Sequence, residues 1–91
     1  MANTLHLKIS TPFQIVYEGE IQSISSINTA GKFDILPEHA NFITLIDNKP
    51  VIVRSIDKEQ KEFNFPLAIL YVHGNRVNIY TNIQEMPKLG G

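Results

Sequence analysis

The chain has 91 residues, which is room for one domain with a small core and not for two, since single domains run to roughly 100–200 residues. Lys and Arg number 8 against 9 Asp and Glu, a formal net charge of −1 without a run of either sign, so there is no basic stripe for nucleic acid. Without Cys there is no disulfide, thiol nucleophile or thiolate ligand, and 43% hydrophobic with 19% charged residues is the profile of a folded globular domain.

The opening MANTLHLKIS lacks a basic segment followed by an apolar one, and no apolar run nears the roughly 18 residues that span a bilayer. A soluble, cytoplasmic protein is expected. Along the chain the main signal is period-2 alternation in short β-branched and aromatic runs. Leu5, Leu7 and Ile9 share one side against His6, Lys8 and Ser10, and Pro12 closes that strand. Phe13, Ile15 and Tyr17 alternate next, and Glu18-Gly19 reads as a turn. From Glu20 to Ile27 the isoleucines 21, 24 and 27 recur every third residue, as on a helix face. The intervening Ser23, Ser25 and Ser26 suit a helix poorly, so a strand with a bulge is predicted.

Asn28 to Gly31 forms the next turn, then Phe33 and Ile35 alternate with Lys32 and Asp34, and Pro37-Glu38-His39 makes a corner. Phe42, Thr44 and Ile46 alternate with the equally apolar Ile43 and Leu45, which predicts a central strand between two layers. Asp47 to Pro50 is a turn. Strands are predicted over 51–56, 62–65, 68–72 and 76–81, linked through 57–60 and 73–75. The sum is an all-β, two-layer antiparallel sandwich or flattened barrel of about nine to ten strands, over residues 1–84, with an unstructured tail at 85–91. Leu7, Ile9, Phe33, Ile35, Phe42, Leu70, Val72, Val77 and Ile79 are its predicted core.

Chemistry is harder to place in this sequence. His6, His39 and His73 lack the short spacings of zinc ligands, and no Gly-x-Ser-x-Gly elbow accompanies the Ser, His and Asp residues. The one Gly pair is Gly90-Gly91, so there is no phosphate-cradling loop. Carboxylate pairs such as Glu18 with Glu20, or Glu59 with Glu62, fit solvated edges and turns. No catalytic residue, cofactor or metal is expected, and a binding module is favoured over an enzyme.

One stretch is more specific. Gly31-Lys32-Phe33-Asp34-Ile35-Leu36-Pro37-Glu38-His39-Ala40 resembles the Gly-Glu-hydrophobic-Gly-Ile-hydrophobic-Pro-Gly-His-Ala segment of the ε subunits of rotary ATP synthases. Gly31, Phe33, Ile35, Leu36, Pro37, His39 and Ala40 fit it in order. The flanking Leu7 to Pro12, Val16 to Ile21, Ile69 to Val72 and Asn75 to Ile79 are similar to other strands of the family's N-terminal β-sandwich, so the resemblance covers residues 4–83. Departures stand at Lys32 for an acidic residue, Asp34 and Glu38 for glycines, Asn41 for a proline, and Pro66-Leu67 for a Gly pair.

The resemblance implies a rotor subunit of a proton-translocating F-type ATP synthase, peripheral to the membrane, with one face on the γ subunit and one end on the c ring. Thr29, Ala30, Gly31 and Lys32 match the family's c-ring loop, and Thr11, His39 and Thr44 its γ-facing positions. The chain stops where the family's helical hairpin would start, which implies a short form without that hairpin's inhibitory and ATP-binding parts. Two readings compete: a stand-alone sandwich that binds another protein or a sugar, and a small hydrolase. Co-purification with γ discriminates the first, and a pocket with perturbed titrating groups the second.

Overall fold

The computed structural model describes residues 4–81, and every regular element among them is a strand. The strands are β1 (Leu5–Ser10), β2 (Ile15–Asn28), β3 (Gly31–Ile35), β4 (Phe42–Asp47), β5 (Pro50–Ser55), β6 (Gln60–Asn64), β7 (Leu67–His73) and β8 (Arg76–Thr81). They hydrogen-bond in the order β4-β7-β8-β1-β2-β5-β6, with β3 also on β2. The expected tail at 85–91 lies outside the described residues.

Strand β2 organises the fold. Its first half, from Ile15 to Ile21, pairs with β1, while Ile21 to Ser25 pairs with β5 and Ile24 to Asn28 with β3. Where the partners change, the register shifts between Ile21 and Ser23. Across that bulge the alternation reverses: Ile21 and Ser23 are buried at its two sides, and the buried phase then passes to Ile24 and Ser26. The three-residue recurrence of isoleucine is therefore a strand crossing a bulge, as its serines suggested, although Ile27 itself is half-exposed. A bulge bends its strand, and here the bend folds the sheet on itself until Asn28 Nδ2 donates to Thr44 Oγ1 of β4 at 3.0 Å.

The core between the layers comprises Leu5, Leu7 and Ile9 from β1, Ile21 and Ile24 from β2, Ile35, Ile46, Val51 and Val53, and Ala68, Leu70, Val72, Val77 and Ile79 from β7 and β8. Of the predicted core, Phe33 and Phe42 differ. Both are half-buried, packed edge-to-face on each other at 5.5 Å against the side of the core rather than within it.

Four other expectations are corrected. The described residues form eight strands rather than about nine to ten, because Glu18-Gly19 is no turn: Gly19 stands opposite Leu7 in the ladder and has no positive φ. The sheet is mixed, since β8 runs parallel to β1, a pairing made feasible by the long stretch of chain between them. Phe13 lies outside any strand and is 75% exposed. Finally, β4 is not central. It ends the strand order, pairs with β7, and leaves Ile43 and Leu45 in solvent.

Candidate docking surfaces

The outward residues of β4, β7 and β8 form one apolar field. Leu45 stands opposite Ile69, which stands opposite Tyr80; one step along, Ile43 stands opposite Tyr71. Alternation puts all five on the face away from the core, each with between 38% and 66% of its surface in solvent. The His73 ring stacks on Tyr71 at 6.1 Å and extends the field toward the β7–β8 turn. Scattered exposed apolar residues need no explanation, but a contiguous group of this kind marks an interaction surface. Its signal was present in the sequence, where Ile43, Leu45, Ile69 and Tyr71 make their strands apolar on both sides. Such a strand is either central or waiting for a partner, and only the strand order decides.

Thr11 adjoins this field. Following Ser10, which pairs with Tyr80, its hydroxyl accepts from the N–H groups of Phe13 and Gln14 at 3.0 and 3.1 Å, and its own N–H donates to the Gln14 carbonyl at 2.9 Å. This tight turn holds Phe13 out in solvent. At the other end of β7 and β8 sits His39. Its Nδ1 donates to the Ala40 carbonyl at 2.7 Å and its ring meets Phe42 edge-on at 5.7 Å. The preceding Glu38, at φ 70°, donates its N–H to Asn75 Oδ1 at 2.7 Å, and Gly74 N–H donates to Asn41 Oδ1 at 3.2 Å, so the corner is tied to the β7–β8 turn. Glu38 thus holds a positive φ, a region that glycine enters more readily.

Thr44 is placed differently from Thr11 and His39. Its side chain faces inward to Asn28, and it lines an open cleft of about 410 Å³ with Thr29, Leu45, Asp47 and Lys49. Level with Leu70, Ile79 and Ile9 across the sheet, it is three strand spacings, roughly 14 Å, from β1. Thr44 is therefore brought to the Asn28–Thr29 turn and lies well away from Thr11.

Thr29, Ala30, Gly31 and Lys32 sit together on the exposed β2–β3 turn. Asn28 shapes it: Oδ1 accepts the Ala30 N–H at 2.8 Å, a side-chain substitute for a backbone turn, while Nδ2 anchors the turn to Thr44. Gly31 has φ 122°, a region that only glycine enters readily. Ser25 Oγ donates to Asp34 Oδ1 across β2 and β3, so Asp34 stiffens this hairpin.

On the charged part of the same outer face, His6 stands between two carboxylates. Its Nδ1 lies 2.8 Å from Glu20 Oε2 and its Nε2 2.8 Å from Glu18 Oε2, and Thr4 Oγ1 donates to Glu20 Oε1 at 2.6 Å. The bonds to Glu18 and then Glu20 push the imidazole above its ordinary value. The His6 bond holds Glu18 below the usual carboxylate range, and the Thr4 hydroxyl followed by His6 does the same for Glu20. Among the described residues, no group of three or more His, Cys, Asp or Glu could hold a metal ion.

An apolar sheet face, a rigid exposed turn and an open cleft suit contact with other proteins, and they describe a docking module rather than an enzyme. Residues 4–87 match the family described as ATP synthase, delta/epsilon chain, β-sandwich domain, and the chain belongs to it. It is 38% identical to an ATP synthase epsilon chain of Clostridium novyi, over 97% of this chain and 67% of that protein. It is 29% identical to one from Clostridium botulinum strain Eklund 17B, of which it spans 63%. The fold is also that of a chain in the Euglena gracilis mitochondrial ATP synthase, with a TM-score of 0.82 at 12% identity over 89% of this chain and 52% of that one. A chain in the central stalk and c-ring structure of the Tetrahymena thermophila enzyme gives 0.70 at 14%, over 85% and 62%.

Proposed function

We propose that the chain is a non-catalytic rotor subunit of a proton-translocating ATP synthase, docking the γ subunit to the c ring and carrying rotation between them. The observation that carries this reading is the exposed apolar face of β4, β7 and β8 in a chain of the epsilon family. A face of this kind stays soluble in a complex when a permanent partner covers it. The γ subunit is assigned to it, with Thr11 and His39 at its two ends. The turn of Thr29, Ala30, Gly31 and Lys32 is assigned to the c ring, and Thr44, which the resemblance sets among the γ-facing positions, also supports that turn through Asn28.

The task is mechanical and needs no chemistry, which agrees with the absence of any motif for catalysis or a phosphate loop in the sequence. No helix among the described residues is long and apolar enough to cross a membrane, so attachment on the cytoplasmic side of the membrane is assigned to the complex. Stand-alone action is the weaker reading, because the family match extends over nearly the whole chain. Affinity purification of the tagged chain from its native cell tests the proposal. Recovery of γ together with ring subunits in detergent extracts is expected; a tagged, folded chain that recovers neither overturns it.

A further inference from the structure

The His6 cluster has a stereochemical property that docking does not explain. A neutral imidazole has one N–H and one lone pair, so it can donate to only one of two carboxylates. Both ring nitrogens of His6 lie 2.8 Å from carboxylate oxygens, and both contacts are bonds only when the ring carries its second proton. In the neutral ring, one nitrogen lone pair faces an oxygen lone pair at that distance. The cluster therefore has a bonded, protonated state and a strained, neutral one.

Its place in the fold gives this consequence. His6 is directly opposite Glu20 in the β1–β2 ladder, and the next pair, Leu5 with Ile21, is where β2 takes up β5 and begins its bulge. The ring thus ties β1 to β2 one residue before the bend that joins the two layers. His6 N–H also donates to the Asn75 carbonyl at 2.8 Å, so β1 is fixed at the same point to the β7–β8 turn. The charged groups around the ring are Glu18 and Glu20 on β2, Lys8 on β1, and Arg76 on β8, which stands opposite both His6 and His73. Lys8 and Arg76 favour the ionised carboxylates and so the bonded state.

We propose that His6, Glu18 and Glu20 form a pH-responsive clasp that fixes β1 against β2 at the bend while the imidazole is protonated, and slackens when it loses that proton. The direction follows from linkage. A histidine raised on folding contributes stability that is fully present below its ordinary value of 6.5 and lost as pH rises through the higher folded value. The two lowered carboxylates contribute above their ordinary value of 4.5, and that is lost as pH falls through their lower folded values. The clasp is closed between these limits. It loosens on the alkaline side without any change in the buried core, and it acts whichever partner covers the neighbouring face.

The test is a proton–carbon NMR titration of the His6 ring in the full chain, beside a Glu18→Gln/Glu20→Gln variant, with urea unfolding of both proteins at about pH 6 and about pH 9. In the wild type the His6 midpoint should lie above 6.5 and fall in the variant. The wild type should need more urea at about pH 6, and that advantage should shrink at about pH 9. A wild-type midpoint at or below 6.5, or one unmoved by the substitutions, overturns the clasp. So does an advantage that persists unchanged at high pH. If the double variant does not fold, Glu20→Gln alone should lower the midpoint part of the way, and an unmoved midpoint there refutes the proposal equally.

Discussion

Ile43 and Leu45 give the sharpest test of the apolar face. They are 66% and 52% exposed on a strand that ends the sheet, so replacing both by Thr removes little that the isolated domain uses and places a strand-favouring β-branched residue at each site. Stability should change by less than about 0.5 kcal/mol per site. Full burial of an Ile or Leu side chain is worth about 1.5–3 kcal/mol, and 66% of Ile43 and 52% of Leu45 are still in solvent here. A partner that dries both therefore gains on the order of 1.5–3.5 kcal/mol from them. Losing most of that should weaken binding of γ by roughly 10- to 100-fold, at a tenfold change for each 1.4 kcal/mol. Calorimetric titration of γ with the wild type and the double variant measures the difference. Ile56→Thr is the control, since Ile56 is equally exposed at 52% but lies on the β5–β6 turn away from the face. Equal affinity of wild type and double variant, or an equal loss in the control, would falsify the assignment of γ to β4, β7 and β8.

Three further outcomes are expected. Leu70→Ala, at a fully buried position of β7 between β4 and β8, should cost about 2–5 kcal/mol in urea unfolding, and a loss below about 1 kcal/mol would mean the layers close over the gap. Gly31→Ala should destabilise the chain by about 1–3 kcal/mol although the added Cβ meets nothing within 4 Å, because φ 122° is strained for any L side chain; an unchanged melting temperature would contradict this. Lys32→Glu should weaken assembly with the native ring while shifting stability by less than about 0.5 kcal/mol, since an exposed turn charge acts on partners rather than on the fold; unchanged ring binding and coupled ATP synthesis in reconstituted enzyme would show that Lys32 does not dock.

The parts of the fold that depend on near neighbours were legible in the sequence. Leu5, Leu7 and Ile9 are buried as their alternation requires, and Asn28 to Gly31 turns as its residues demand. What depends on distant parts of the chain was not. Glu18-Gly19 has turn chemistry, yet β1 and β2 pair straight through it, because the ladder from Ile15 to Ile21 outweighs the preference of two residues. The parallel β1–β8 pair joins segments at opposite ends of the sequence, and alternation within a strand says nothing about its neighbour's direction. The candidate residues divide in the same way. The turn at 29–32 is exposed where its residues predict a turn, whereas Thr44 faces inward because the bend in β2 brings Asn28 over it. The apolar face was missed since its five residues come from three strands whose order the sequence does not state.

The two proposed contacts are held together mainly by one strand. β2 starts at Ile15, beside Ser10 and so beside the Tyr80 end of the apolar face, and it finishes at Asn28, which builds the exposed turn. At about 3.3 Å per residue its 14 residues reach roughly 46 Å before bending is allowed for, enough to join the two surfaces without an intervening loop. A load applied at the turn is carried along a covalent backbone that is hydrogen-bonded to β1, β3 and β5, rather than across a side-chain interface. A weak point of such a beam is the bulge between Ile21 and Ser23, where an extra residue leaves the ladder. Ile21 and Ile24 brace it from the core side, and His6, Glu18 and Glu20 brace it from the outer side. Stiffness between the two surfaces should therefore depend more on these five residues than on the rest of the core. Loosening them should raise amide exchange first in Glu20 to Ser23, ahead of β7 and β8, whereas uniform loss of protection would mean that the layers are held as one block and the bulge has no special role.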